Sequence, residues 1–397
     1  MQALLKTHVR LISATETTYY RYLYKDIDWS NRLIGITGAR GTGKTTMILQ
    51  HIKSTFEDLN NTLYVSLDNI YFAKNSLLNL AEEFHTYGGT HLFIDEVHKY
   101  PNWSTEIKNI YDSFPSLHIV FTGSSILEIY KSNADLSRRL VSYHLAGLSF
   151  REYLNFELQC DLQSYTLREI IENHLNIAAE ITSKIKVLPQ FENYLQWGFY
   201  PFYKENLASY HSRLQNVVNT ILENDLPSVE KVEYNTITKI KKLLVILSSL
   251  VPYTPNIQSL STEIKSNRAL TIKYLGYLQR AGLIILLDSK AKGMSRMTKP
   301  EKIFLNNTNI LYALCDSAVN NGTLRETFFV NQCKAIHSVV TSKKGDFSID
   351  DKYTFEIGGK GKSYNQIKDI ENSYIAMADT ELGFGNKIPL WLFGLLY

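Results

Sequence analysis

From Arg32 to about Gly147 the chain alternates short apolar, β-rich runs with stretches whose apolar positions recur at helical spacing. The runs Leu33–Thr37, Leu63–Leu67, His91–Asp95 and His118–Thr122 predict strands, and Thr45–Phe56 and Ser104–Phe114 predict helices between them. Such alternation predicts an α/β fold, a parallel sheet covered by helices. Residues 1–30 mix polar and aromatic positions, with Tyr19, Tyr20, Tyr22, Leu23 and Tyr24 clustered, and read as a helical lead-in packed on that core. From Leu148 to about Tyr234 the strand pattern stops and helical spacing takes over, as in Leu167–Ile185 and Tyr210–Asn224. Thr236–Asp288 predicts three short helices (Ile237–Leu250, Ser259–Lys265, Asn267–Ala281) and then a strand, Leu283–Leu287. Beyond Lys290, short β-like runs such as Tyr353–Ile357 mix with one helical stretch, Leu324–Ile336. The expected domains are therefore 1–150, 151–235, 236–290 and 291–397.

Composition narrows the class without changing that division. At about 150 residues per domain, a chain of 397 residues carries two to three domains. Hydrophobic residues make up 44% and charged residues 20%, which excludes a disordered or collagen-like chain. Lys and Arg total 42 against 39 Asp and Glu, a net charge of +3, so any nucleic-acid site must be a local patch. The cysteines Cys160, Cys315 and Cys333 are too far apart for a disulfide framework or a zinc cluster, and point to a reducing compartment. The N-terminus lacks a signal-peptide pattern, and the apolar runs Leu243–Val251 and Ile388–Tyr397 are too short to span a bilayer. The expectation is a cytoplasmic protein with no membrane partner.

The strongest chemical signal is Gly38-Ala39-Arg40-Gly41-Thr42-Gly43-Lys44-Thr45, a complete G-x-x-x-x-G-K-[ST] phosphate loop between a predicted strand and a predicted helix. Glycines let backbone N–H groups converge on phosphate oxygens, and the helix opening at Lys44, Thr45 and Thr46 aims its positive dipole end at them. Lys44 supplies charge to the β- and γ-phosphates, and the Thr45 hydroxyl ligates Mg²⁺. The strand His91–Asp95 ends in Asp95-Glu96. Asp95 fits the Mg²⁺ partner of the loop, and Glu96 fits the residue that orients or deprotonates the attacking water. The next strand ends in Thr122-Gly123-Ser124-Ser125. Ser124, with Thr122 second, is a candidate to hold that water, and Ser124 equally suits a helix N-cap. Arg138 and Arg139 are candidates for an arginine finger reaching a neighbouring subunit, or for a solvated helix end. Arg40 is an alternative phosphate contact.

The phosphate loop, Phe93-Ile94-Asp95-Glu96-Val97-His98, Phe121-Thr122-Gly123-Ser124-Ser125, Leu136-Ser137-Arg138-Arg139-Leu140 and Leu148-Ser149-Phe150-Arg151-Glu152-Tyr153-Leu154 occur in order. Together they resemble the AAA-type prokaryotic ATPases that carry a DUF4143 domain. The resemblance covers essentially the whole chain and is most specific over residues 30–155. It implies an AAA+ like P-loop NTPase core that binds ATP and Mg²⁺, a helical lid, a winged helix and a small α/β, restriction-endonuclease-like C-terminal domain. With the arginine pair, it also implies a homo-oligomer with ATP at subunit interfaces.

Residues 236–288 fit helix–turn–helix spacing, with Leu270, Tyr274, Leu275 and Leu278 at core-like positions. In a DNA-bound reading Arg268, Thr271, Lys273 and Arg280 face the groove, and Lys290, Lys292, Arg296, Lys299 and Lys302 form a basic wing. A protein-binding winged helix fits the same pattern. Near the C-terminus, Asp346 and Glu356 on successive β-runs resemble the acids of PD-(D/E)XK nucleases, with Glu326 and Gln366 in accessory positions. The lysine expected two residues after the second acid is Gly358 here, which leaves Lys360 or Lys362 to substitute from the loop. Three functions follow: a Mg²⁺-dependent ATPase whose nucleotide state repositions the other segments, a slow nucleotide switch acting on a protein or DNA partner, and an ATP-gated nuclease.

Overall fold

The computed structural model describes residues 1–123, 136, 138–230, 232–289, 299–315 and 319–397. Contacts group the chain into two compact units, one of residues 1–147 and 220–232, the other of residues 148–219 and 233–397. The stretch 220–232, expected within the helical connector, thus belongs to the first unit.

The first unit is a five-stranded parallel sheet, as the alternating pattern predicts. Its strands are β1 (Leu33–Thr37), β2 (Thr62–Ser66), β3 (His91–Asp95), β4 (His118–Gly123) and β5 (Val141–His144), in the order β2-β3-β4-β1-β5. The period-2 geometry of a strand sends neighbours to opposite faces, and in β1 to β4 both faces are largely buried. Leu33, Leu63, Val65, Leu92, Ile94, Ile119 and Phe121 pack on one face with Trp103, Ile107 and Ile110. Ile34, Ile36, Tyr64, Phe93 and Val120 pack on the other with Met47, Ile48 and Ile52. Two-sided burial explains why these strands read as continuous apolar runs. Its longer helices among the described residues are α1 (Gln2–Ala14), α2 (Lys44–Thr55), α3 (Leu77–Thr86) and α4 (Trp103–Ser113). At Gly35 an added Cβ would stand 2.8 Å from the Phe121 ring, so β1 and β4 fit only with glycine there.

The second unit opens with α5 (Phe150–Leu158), whose Ser149 and Glu152 form a reciprocal capping box. Ser149 Oγ and Arg151 Nε also donate to the Tyr397 carbonyl oxygen, at 2.6 and 2.8 Å. The Leu-Ser-Phe-Arg-Glu-Tyr-Leu run is thus a packing motif of this unit. Then follow α6 (Leu167–Thr182), α7 (Val187–Trp197), α8 (Tyr210–Thr220, whose last residue is in the first unit), α9 (Tyr234–Leu250), α10 (Ile257–Glu263) and α11 (Arg268–Arg280). A two-stranded antiparallel sheet follows, β6 (Ile284–Leu287) with β7 (Lys302–Leu305). After α12 (Thr308–Leu314) and α13 (Asn321–Lys334) comes a mixed sheet of β8 (Val339–Thr341), β9 (Phe347–Ile349), β10 (Tyr353–Gly358), β11 (Ser373–Met377) and β12 (Lys387–Pro389), in chain order. Phe150, Phe191, Tyr194 and Phe328 form an aromatic core there. No helix of the described residues is long and apolar enough to cross a membrane.

Several buried histidines in the first unit carry a pH consequence. His51 lies on α2, stacked on Trp29 at 3.7 Å between ring centroids. Burial, with the nearby His91 charge second, pushes its pKa down to about 4. As pH falls below the ordinary value of about 6.5, the unfolded chain takes up a proton that the folded chain refuses, so stability falls until about pH 4. At pH 5 this amounts to at most about 2 kcal/mol for the residue. His51→Phe should therefore lose less thermal stability than the wild type between pH 7.5 and pH 5. An equal loss would contradict the buried neutral imidazole.

Candidate nucleotide site

The phosphate loop leaves β1 at Thr37 and enters α2 at Lys44. Gly38, Gly41 and Gly43 have φ of 154°, 85° and 95°. A Cβ at Gly38 would come within 2.3 Å of the Leu145 carbonyl oxygen, so the motif's first glycine is required by the backbone itself. The loop is closed by its own side chains. Thr42 Oγ1 donates to the Ala39 carbonyl at 2.9 Å, and Lys44 Nζ donates to the Gly38 and Ala39 carbonyls, both at 2.9 Å. Burial lowers the Lys44 pKa, opposed by the charges of Glu96 and Asp95. From the lead-in, buried Arg21 donates to the Thr42 carbonyl and, at 2.8 Å, to the Ala146 carbonyl. Arg21 thereby ties the loop to the chain beyond β5, a role its lone position in a tyrosine-rich stretch did not signal.

Asp95 is the centre of the site. It ends β3 with 3% of its surface exposed. The Thr45 hydroxyl donates to its Oδ2 at 2.7 Å, the Tyr64 hydroxyl to the same oxygen at 2.8 Å, and the Thr122 hydroxyl to Oδ1. Tyr64 is held in its protonated form by burial and by the Asp95 charge, which raise its pKa. Thr45 and Asp95 converge as an all-oxygen pair, the donor chemistry that suits Mg²⁺. Thr122 also accepts the Glu96 backbone N–H at 3.3 Å, so it joins the two acids. Ser124 lies outside the described residues.

Glu96 follows in a left-handed backbone conformation, φ 54° and ψ 43°, which is costly for a residue with a Cβ and turns its side chain out of the strand. Its Oε2 is buried without a hydrogen-bond partner, 3.2 Å from His98 Nε2 but not aligned with it. His98 Nε2 is also 3.6 Å from Asp225 Oδ1, and Lys99 Nζ pairs with the same oxygen. Arg40 Nη1 reaches Asp225 at 3.4 and 3.5 Å. Asp225, His98 and Lys99 were not identifiable from the sequence as site residues. A lone histidine after the acids reads as a packing residue, and nothing local marks Asp225.

The remaining candidates separate. Thr46 is exposed on α2. Arg138 is exposed, and Arg139 pairs with Asp112 in a two-point contact of 2.8 and 3.0 Å. In the second unit, Thr271 does not face outward: it is fully buried, bonded to Ser261 Oγ and the Asn267 carbonyl, because its short hydroxyl satisfies neighbouring helix groups. Leu270 is 39% exposed rather than in the core, whereas Tyr274, Leu275 and Leu278 are buried. Arg268, Lys273 and Arg280 are exposed. Lys290, Lys292 and Arg296 lie outside the described residues, and Lys302 pairs with Glu326 at 2.5 Å.

The C-terminal acids do come together. Asp346 Oδ2 accepts the Ile357 backbone N–H at 2.7 Å, which places it beside Glu356 on β10. Lys362, not Lys360, meets Glu356, at 2.5 Å. A Cβ at Gly358 would strike the Lys362 side chain at 2.7 Å, so the glycine in the expected lysine position makes room for Lys362. Lys360 and Gln366 are exposed. Burial raises the Glu326 pKa, with Lys302 opposing. Among the described residues no group of three or more His, Cys, Asp or Glu side chains is placed to hold a metal ion.

With this geometry in place, residues 30–154 match the family described as AAA domain, and residues 188–321 match Domain of unknown function (DUF8612). The second match differs from the DUF4143 group that the sequence resembles. The chain is 24% identical over 296 residues to Uncharacterized protein MJ1637 of Methanocaldococcus jannaschii, covering 71% of this chain and 62% of that one. It thus spans less than two thirds of that relative's length. Among solved structures, DnaA from Aquifex aeolicus bound to AMPPCP is 14% identical, covering 65% of this chain and 84% of that chain, with a TM-score of 0.27. A DNA polymerase III gamma subunit-related protein from Thermotoga maritima is 11% identical, covering 70% and 99%, with a TM-score of 0.27.

The hydroxyl cage around Asp95 has a measurable worth. Tyr64→Phe removes one charge-assisted hydrogen bond from a buried carboxylate and should cost about 1.5–3 kcal/mol in chemical denaturation. A change below about 0.5 kcal/mol, the scale of a surface substitution, would contradict the role given to Tyr64.

Proposed function

We propose that the protein binds and hydrolyses ATP in a Mg²⁺-dependent reaction at the loop of Gly38–Thr46. The observation that carries this reading is the convergence of the phosphate loop, Thr45 and Asp95 at the carboxyl ends of β1 and β3. The match of residues 30–154 to the AAA domain supports it. In this reading the loop N–H groups and Lys44 bind the phosphates, and Thr45 and Asp95 hold Mg²⁺. The ion supplies charge neutralisation at the phosphate oxygens when bound. Glu96, free of a direct hydrogen bond on Oε2, accepts the proton of the attacking water or orients it. Thr122 holds Glu96 and Asp95 in register.

The nucleotide state would then act on the helical stretch, on the winged helix of α9–α11 with β6 and β7, and on the C-terminal domain. ATP between copies of the chain would use Arg138 as the finger, since Arg139 is already paired with Asp112. The exposed Arg268, Lys273 and Arg280 support a DNA or protein partner on α11. A slow switch is the second reading, supported by the Asp225 contacts to Arg40 and Lys99. The nuclease reading has Lys362 beside Glu356, but among the described residues no group of three or more metal-ligating side chains supports it.

Lys44→Ala should abolish nucleotide binding. Glu96→Gln should keep ATP affinity within a few-fold and lower turnover by about 10²–10⁴, measured as phosphate release. Unchanged turnover in Glu96→Gln would remove Glu96 from the mechanism.

A further inference from the structure

Asp225 sits on a turn of π-helix, Ile221–Asp225, that directly continues α8. Such turns interrupt a regular helix at a cost and are frequent at functional sites. This one delivers a carboxylate, 2% exposed, to the phosphate loop. Around it stand Arg40 of the loop, and His98 and Lys99 from the turn after Glu96. Burial alone would raise the Asp225 pKa, but hydrogen bonds and charge from His98 and Lys99 hold it down at about 2. The group is therefore an anion at any working pH. Lys44 feels the charges of Asp225 and Arg40 together with those of Asp95 and Glu96, so all these groups share one small region.

A buried anion held by arginine, lysine and histidine beside a phosphate-binding lysine is chemically a phosphate mimic. Arg40 and Lys99 are 35% and 20% exposed at the side chain, so neither is locked in the interior. We propose that Asp225 is a latch that competes with the γ-phosphate of a nucleoside triphosphate for Arg40 and Lys99. The inference rests on the reading of the loop as an ATP site. A γ-phosphate offers these cations more charge and more acceptor oxygens than a carboxylate does. It draws Arg40 and Lys99 away, and Asp225 loses two of the cations that hold it while His98 stays, which loosens it and residues 220–230 with it. A diphosphate lacks the competing group and leaves the latch closed. The segment joins residues of the second unit in sequence at both ends, after Asn219 and before Glu233, so its release has a covalent path outward. Asp225 is a positioning residue in this scheme, acting through Arg40 and Lys99.

The test is equilibrium binding of AMP-PNP and of ADP, each with Mg²⁺, to the full chain and to Asp225→Asn and Asp225→Ala. Removing the competing charge should tighten AMP-PNP about tenfold, the scale of one charge-assisted hydrogen bond, and leave ADP within about twofold. AMP-PNP affinity that is unchanged or weaker, with ADP still bound, would overturn the latch alone. Wild-type protein that binds neither nucleotide would overturn the ATP site and the latch together. Where both variants fail to fold, backbone hydrogen exchange in the wild type decides. Faster exchange across residues 220–232 with AMP-PNP than with ADP supports the latch, and equal exchange overturns it.

Discussion

Burying a carboxylate is costly unless its oxygens are filled with hydrogen-bond donors. Asp95 meets that condition with the hydroxyls of Thr45, Tyr64 and Thr122, drawn from α2, β2 and β4. Each donor fixes an element. Thr45 sets the start of α2, and with it the loop that wraps from Gly38 to Gly43. Thr122 sets the end of β4 and, through the Glu96 N–H, the turn that carries the second acid. The parallel order β2-β3-β4-β1-β5 brings these strand ends to one edge, where ligands of open α/β sheets bind. The chemistry assigned to the site is therefore a consequence of how one buried acid is satisfied.

The phosphate loop, Asp95 and Glu96 were legible because their spacing is local and their chemistry admits few residue types. The strands β1 to β4 were legible because burial on both faces writes continuous apolar runs. β5 was not, because Val141–His144 lies at the sheet edge with every residue at least partly exposed. Asp225 was invisible for another reason. It is 185 residues from Arg40 in sequence and sits in a helical pattern that looks like solvated surface. It lies at the end of a π turn, which the sequence does not announce.

The C-terminal acids show the limit of motif reading in the opposite sense. The spacing of Asp346 and Glu356 was legible, and the two do meet across β9 and β10. The lysine could not be placed from sequence, since Gly358 removes it from the strand and Lys362 returns it from the loop. It pairs there with Glu356, as Lys302 pairs with Glu326, so each of these acids already holds a cation. The four sequence segments also fold as two units, since residues 148–219 and 233–397 group together while residues 220–232 pack in the first.

The most direct test of the account is phosphate release from ATP by the purified chain with Mg²⁺ and with Mg²⁺ removed by chelation. The account predicts multiple turnovers with the ion and loss of turnover without it. Hydrolysis that proceeds undiminished in chelator would contradict the pairing of Thr45 with Asp95 as the metal-holding centre.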